Sequence, residues 1–158
     1  MAVLISVSDK TGLLGFAGKL KDEIISTGGT ARFLEEKGIK VTRISDLTGV
    51  EERRELKTLH HPIHEGIFSG KIWMVVVNLY PFEQEPGIDN IDIGGVSLLR
   101  AAAKNYHKVL PVCSPERYEE VLQMIDNLTE EFSRELAAET FEYVARYDIA
   151  IAEWFKNS

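Results

Sequence analysis

The chain has 158 residues, of which 44% are hydrophobic and 27% charged, and it carries a formal net charge of -7. That length suits one domain burying roughly 70% of the surface its unfolded form exposes, and the acidic balance excludes a protein that coats nucleic acid, which needs clustered cations facing phosphates. No apolar run approaches the roughly 20 residues that cross a bilayer, so no membrane partner is expected. The single cysteine, Cys113, allows no internal disulfide and no leader-like segment opens the chain, so the expected location is the cytoplasm.

Val3 to Val7 is a short β-branched run without clean alternation, as in a strand covered on both faces. Ser8 or Asp9 then caps a helix expected from about Thr11 through Leu20, with Leu13, Phe16 and Leu20 at helical spacing. The unit repeats: Glu23 to Ser26 is predicted as a strand, Thr27-Gly28-Gly29-Thr30 as a turn, and Ala31 to Lys37 as a helix stopped by Gly38. Lys40 to Ile44 reads as a third strand. An unpatterned stretch from Ser45 to about Gly70 follows, the kind of long segment that usually carries function.

Lys71 to Asn78 is the strongest strand signal, cut off by Leu79-Tyr80-Pro81. Gly94 to Asn105 predicts a helix, Val109 to Cys113 another buried strand, and Pro115 to Phe155 two or three helices. Strands alternating with helices predict a single α/β domain over residues 1–158, with a mainly parallel sheet, helices on both faces, and ligands beyond the carboxyl ends of the strands.

Two strand-to-helix turns, Ser8-Asp9-Lys10-Thr11-Gly12 and Thr27-Gly28-Gly29-Thr30, set small hydroxyl and glycine residues where helix N–H groups lack intrahelical partners. Such turns serve either as ordinary caps or as a phosphate site, since the positive helix end favours an anion. Lys10, Lys57 and Lys104 are candidates for local positive potential within an acidic chain.

His60 and His64 have a spacing that suits zinc on one helix face. Pro62 opposes a regular helix there and no cysteine or carboxylate set completes a site, so the histidines read as structural or substrate-contacting and no metal is expected. Asn78 and Leu79 end the central strand, where they either terminate it or meet a ligand. Asp92, before Ile93-Gly94-Gly95, is either a helix cap or a reacting group, and Lys104 at the far end of that helix equally suits the helix dipole.

Taken together, Ser6-Val-Ser-Asp-Lys-Thr-Gly12, Thr27-Gly-Gly-Thr30, Lys57-Thr-Leu-His60, Asn78-Leu-Tyr-Pro-Phe82, Asp92-Ile-Gly-Gly95 and Leu98-Leu-Arg-Ala-Ala-Ala-Lys-Asn105 closely resemble the IMP cyclohydrolase domain of the bifunctional purine biosynthesis protein, in order and approximate spacing. The resemblance runs to the last helix and implies a methylglyoxal synthase-like three-layer sandwich. It implies ring closure of 5-formamidoimidazole-4-carboxamide ribotide to IMP with loss of water, a purine nucleotide as ligand, no cofactor, and a homodimer.

By the same resemblance the nucleotide is bound by Ser8, Asp9, Lys10, Thr27, Gly28, Gly29 and Thr30, then by Thr58, Asn78, Leu79, Ile93 and Gly94. Lys57, Tyr80, Asp92 and Lys104 match positions implicated in catalysis. Relatives usually carry Arg-Val before the lysine where this chain has Glu55-Leu56, and its loops before Ile72 and Asp92 are shorter. That reversed charge keeps a second reading open, a non-catalytic module of the same fold that binds a purine nucleotide or phosphate.

Overall fold

The computed structural model of the protein describes residues 1–50 and 58–157. Five strands form one all-parallel sheet in the order β3-β2-β1-β4-β5. They are β1 (Ala2–Val7), β2 (Glu23–Ser26), β3 (Thr42–Arg43), β4 (Ile72–Asn78) and β5 (Leu110–Val112). Chain order runs outward from β1 on one side and resumes at β4 on the other, so the topological switch lies between the adjacent strands β1 and β4. In an open parallel sheet that crevice, at the carboxyl ends of the strands, is where a ligand fits.

Alternation along the strands splits the core in two. Leu4, Val75 and Val77 face a layer made by α4 (His61–Ser69), α5 (Gly94–Lys104) and the middle of α7 (Glu130–Asn157), through residues such as Ile63, Leu98 and Val144. Val3, Ile5, Met74 and Val76 face the opposite layer, built from α1 (Leu13–Ala17), α2 (Gly28–Glu35) and α6 (Tyr118–Met124) with the start of α7. The parallel sheet with helices on both faces expected from the sequence is therefore present, its central strands β1 and β4 being mostly apolar on both sides as that burial requires.

Several boundaries differ from expectation for physical reasons. Helix α1 starts at Leu13 because Asp9 Oδ1 accepts the Thr11 amide at 2.9 Å and Gly12 turns left-handed at φ 69°. It stops at Ala17, while Lys19 and Leu20 close tighter turns onto Phe16 and Ala17. The Thr27–Thr30 turn is instead the cap and first turn of α2: Thr27 is extended and its carbonyl accepts the Ala31 amide at 2.7 Å. The third strand keeps only Thr42 and Arg43, since Ile44 is buried at the start of α3 (Ile44–Thr48), and Asp46 caps the Arg43 amide.

The stretch from Ser45 to Gly70 contains all but the first residue of that short helix and all of α4. Pro62 does not break α4; it sits in the first turn, where a missing N–H costs no hydrogen bond. No helix among the described residues is long and apolar enough to cross a membrane.

Candidate functional site

The loops that leave β1 and β4 are fastened to each other across the switch point. Asn78, the last residue of β4, accepts the Ser8 and Asp9 amides on Oδ1 at 2.7 and 2.8 Å and donates Nδ2 to the Asp9 carbonyl at 2.8 Å. Its side chain is thereby committed to shaping the β1 loop. The Ser8 and Asp9 side chains stay exposed at the mouth, where the Thr11 hydrogen bond holds the Asp9 carboxyl below the usual carboxylate range.

The first turn of α2 flanks this loop. Thr30 Oγ1 bonds the Val7 amide and carbonyl at 3.1 Å each, Ser26 Oγ donates to the Ile5 carbonyl at 2.6 Å, and Thr27 Oγ1 pairs with Ser6 Oγ at 2.9 Å. These hydroxyls hold the turn against β1. Gly29 remains exposed, with nothing within 4 Å of where a Cβ would stand, so a ligand can approach the helix end closely. Lys10 folds back over this edge, its Nζ 3.3 Å from the Ser8 carbonyl and 5.9 Å from the centre of the Phe33 ring. An exposed helix N-terminus beside a lysine is suited to an anion.

The second half of the site surrounds the start of α5. Asp92 Oδ1 accepts the Gly95 amide at 2.7 Å, capping the helix. A Cβ on Gly95 would stand 2.7 Å from Asp92 Oδ2 and 2.9 Å from Leu79, and one on Gly94 would collide with Thr58 Oγ1. The two glycines thus let Asp92, Thr58 and Leu79 close around the helix end. Thr58 is buried and its hydroxyl has no hydrogen-bond partner among the described residues. Ile93 is exposed just before the helix, and Tyr80 projects 39% exposed just past Leu79. Lys57 lies outside the described residues.

Two tyrosines of α7 hold this half together. On α7, Tyr143 Oη accepts the Leu79 amide at 2.9 Å; one turn later Tyr147 Oη accepts the Asp92 amide at 2.8 Å and donates to the Asn90 carbonyl at 3.2 Å. Burial pushes both phenols above their ordinary pKa. Phe82 closes the corner edge-on to Tyr147 and Trp154. The four-residue spacing of Tyr143 and Tyr147 on one helix face was the available signal.

Lys104 is not with them. Helix α5 is unbroken from Gly94 to Lys104, so at about 1.5 Å per residue the lysine stands roughly 15 Å beyond the helix start. Instead it lines an open groove of about 640 Å³ over α4, α5 and α7. His64 lines the same groove, half-buried, and that desolvation lowers its pKa. His60 precedes α4, and His61 Nδ1 stands 3.4 Å from Glu65.

A parallel sheet with helices on both faces and an anion-suited loop cluster at its switch point defines an MGS-like α/β domain, and the family model for the MGS-like domain matches residues 12–107. The chain belongs to this family. The model for the AICARFT/IMPCHase bienzyme matches residues 102–158. The chain is 41% identical over 186 residues to the bifunctional purine biosynthesis protein PurH of Staphylococcus aureus strain Newman, with 98% of this chain and 38% of that protein covered. PurH of strain USA300 matches to the same extent. Within the family the chain thus matches the IMPCHase-like domain, and it spans 38% of the length of those relatives. The solved structure titled "Crystal structure of ForH" superposes with a TM-score of 0.86 at 29% identity, over 98% of both chains.

Proposed function

We propose that the protein is an IMP cyclohydrolase, acting in purine biosynthesis by closing 5-formamidoimidazole-4-carboxamide ribotide to IMP with release of water. The observation that carries this reading is the joining of two half-sites at one switch point: the anion-suited edge of Lys10 and Gly29, and the Asp92, Thr58 and Leu79 cluster, bridged by Asn78. The similarity to PurH supports the choice of nucleotide.

In this reading the phosphate sits on the α2 N-terminus with Lys10, Ser8 and Gly28-Gly29, and the heterocycle reaches the start of α5 near Ile93 and Gly94. The carboxamide nitrogen attacks the formyl carbon within the same molecule, so holding the two arms in reach supplies much of the acceleration. An amide nitrogen is a poor nucleophile and water a poor leaving group. Asp92 accepts the amide proton, and Lys57 and Tyr80 stabilise the developing oxyanion.

Incubating the purified protein with the formamido ribotide and following IMP absorbance tests the proposal. Turnover that falls at least about a hundredfold in Asp92→Asn is expected. IMP binding without any turnover by the unaltered protein overturns the enzymatic reading and leaves the nucleotide-binding module that Glu55 kept open.

A further inference from the structure

Lys10, the cation at the anion-suited edge, is held in place without a carboxylate. It makes no ion pair among the described residues, and the neighbouring Asp9 carboxyl is turned to the Thr11 amide at 2.9 Å. Lys10 Nζ instead meets the Val7 and Ser8 carbonyls at 3.4 and 3.3 Å and lies over the Phe33 ring, 5.9 Å from its centre. An ammonium has three donors, so one remains for an incoming oxygen.

Phe33 stands four residues along α2 from Gly29, on the same helix face. A helical side chain leans toward the N-terminus and covers the turn before its own Cα. That tilt directs the half-buried Phe33 ring, packed on the core beneath it, toward the turn that Gly29 leaves open. The choice of a ring over a carboxylate has an electrostatic consequence. A carboxylate would fix the ammonium but cancel its charge and compete with phosphate, whereas the ring attracts the cation through its quadrupole and adds no formal charge.

We infer that Phe33 is a positioning residue for the phosphomonoester: its ring holds the Lys10 ammonium beside the first turn of α2, so that the anion meets an ordered cation instead of a free lysine chain. Pre-ordering that long side chain lowers the entropy lost on binding. The inference rests on the placement of the nucleotide phosphate at this turn, made under the cyclohydrolase reading.

Calorimetric titration of the whole protein with IMP, run as a double-mutant cycle, tests it. Phe33→Leu keeps an apolar side chain on the core and is expected to weaken IMP binding about two- to fivefold. Phe33→Tyr restores a ring and should bind as the wild type does. With Lys10→Ala already present, Phe33→Leu should weaken binding no further, since the ring then has no cation to hold. An equal loss in both backgrounds would mean that the ring acts by packing alone and overturns the inference, as does a Phe33→Leu variant with wild-type affinity. Should Phe33→Leu fail to fold, Phe33→Met carries the same comparison. Undiminished affinity in Lys10→Ala, or no IMP binding by the wild type, defeats the phosphate placement and the inference with it. A wild type that binds IMP but never makes it defeats only the cyclohydrolase reading, and the cycle still decides the role of Phe33.

Discussion

Asn78 holds Asp9 from both sides, its carbonyl oxygen accepting the Asp9 amide and its amide nitrogen donating to the Asp9 carbonyl, both at 2.8 Å. A third bond from Ser8 at 2.7 Å makes the side chain the bridge between the loops after β1 and β4. Substituting Asn78→Ala leaves three part-buried backbone groups without their partner and is expected to cost about 1 to 3 kcal/mol. Thermal denaturation should show a lower Tm, by roughly 2 to 4 °C for each kcal/mol lost. Unchanged Tm together with unchanged KM would show that the bridge does not shape the loop.

Tyr147 fixes the backbone on both sides of Ile91 through Asp92 and Asn90. Removing only its hydroxyl with Tyr147→Phe should lower kcat by roughly tenfold, because Asp92 is then held less well against the reacting amide. The phenyl ring still packs on Phe82, so stability should fall by only about 1 kcal/mol. A kcat drop no larger than the loss of folded protein would mean that Tyr147 is structural alone.

Gly94 has no room for a methyl group because Thr58 Oγ1 occupies that space. Gly94→Ala is therefore expected to destabilise by about 1 to 3 kcal/mol. Adding Thr58→Ala should recover part of the loss, a coupling of opposite sign to simple addition that a double-mutant cycle in urea measures. Strict additivity would argue that the two residues do not touch.

Burial and the nearby Glu139 push the Cys113 thiol up to about 11. In the unfolded chain it ionises near its ordinary value of 9.0, so between these values the unfolded state gives up its proton first and stability falls as pH rises. Cys113→Ala should flatten that alkaline decline in denaturant titrations from pH 8 to 11. At pH 8 a thiol reagent should leave Cys113 unmodified in the folded protein and label it on unfolding; rapid labelling of the folded protein would contradict the burial.

Much of the scaffold was legible because local pattern and global position agree. Glu23 to Ser26 was bounded as a strand by Thr-Gly-Gly on one side, and Gly38 ends its turn left-handed at φ 81° as its sequence position implied. Helix α4 was hidden by Pro62, a residue that disrupts a helix interior but suits its first turn, and no local cue distinguishes the two until the start is known. The Thr27-Gly-Gly-Thr30 stretch has turn composition yet folds as helix because β1 hydrogen-bonds its hydroxyls.

The site was legible in part. Asp92 before a glycine pair and the Gly28-Gly29 stretch were readable as helix-end chemistry from sequence alone. The grip of Asn78 on residues 69 and 70 positions away, and the tyrosines reaching from α7 to Leu79 and Asp92, depend on long-range topology that no local spacing encodes. The distance of Lys104 from Asp92 followed from helix rise as soon as Gly94 to Lys104 was read as one helix.

A crystal structure of the protein soaked with IMP tests the central claim most directly. The account predicts the phosphate on the first turn of α2 within hydrogen-bond distance of the Gly29 amide and Lys10 Nζ, with the purine ring against Asp92 and Tyr80. A phosphate bound away from that turn, or a ring pointing away from Asp92, contradicts it.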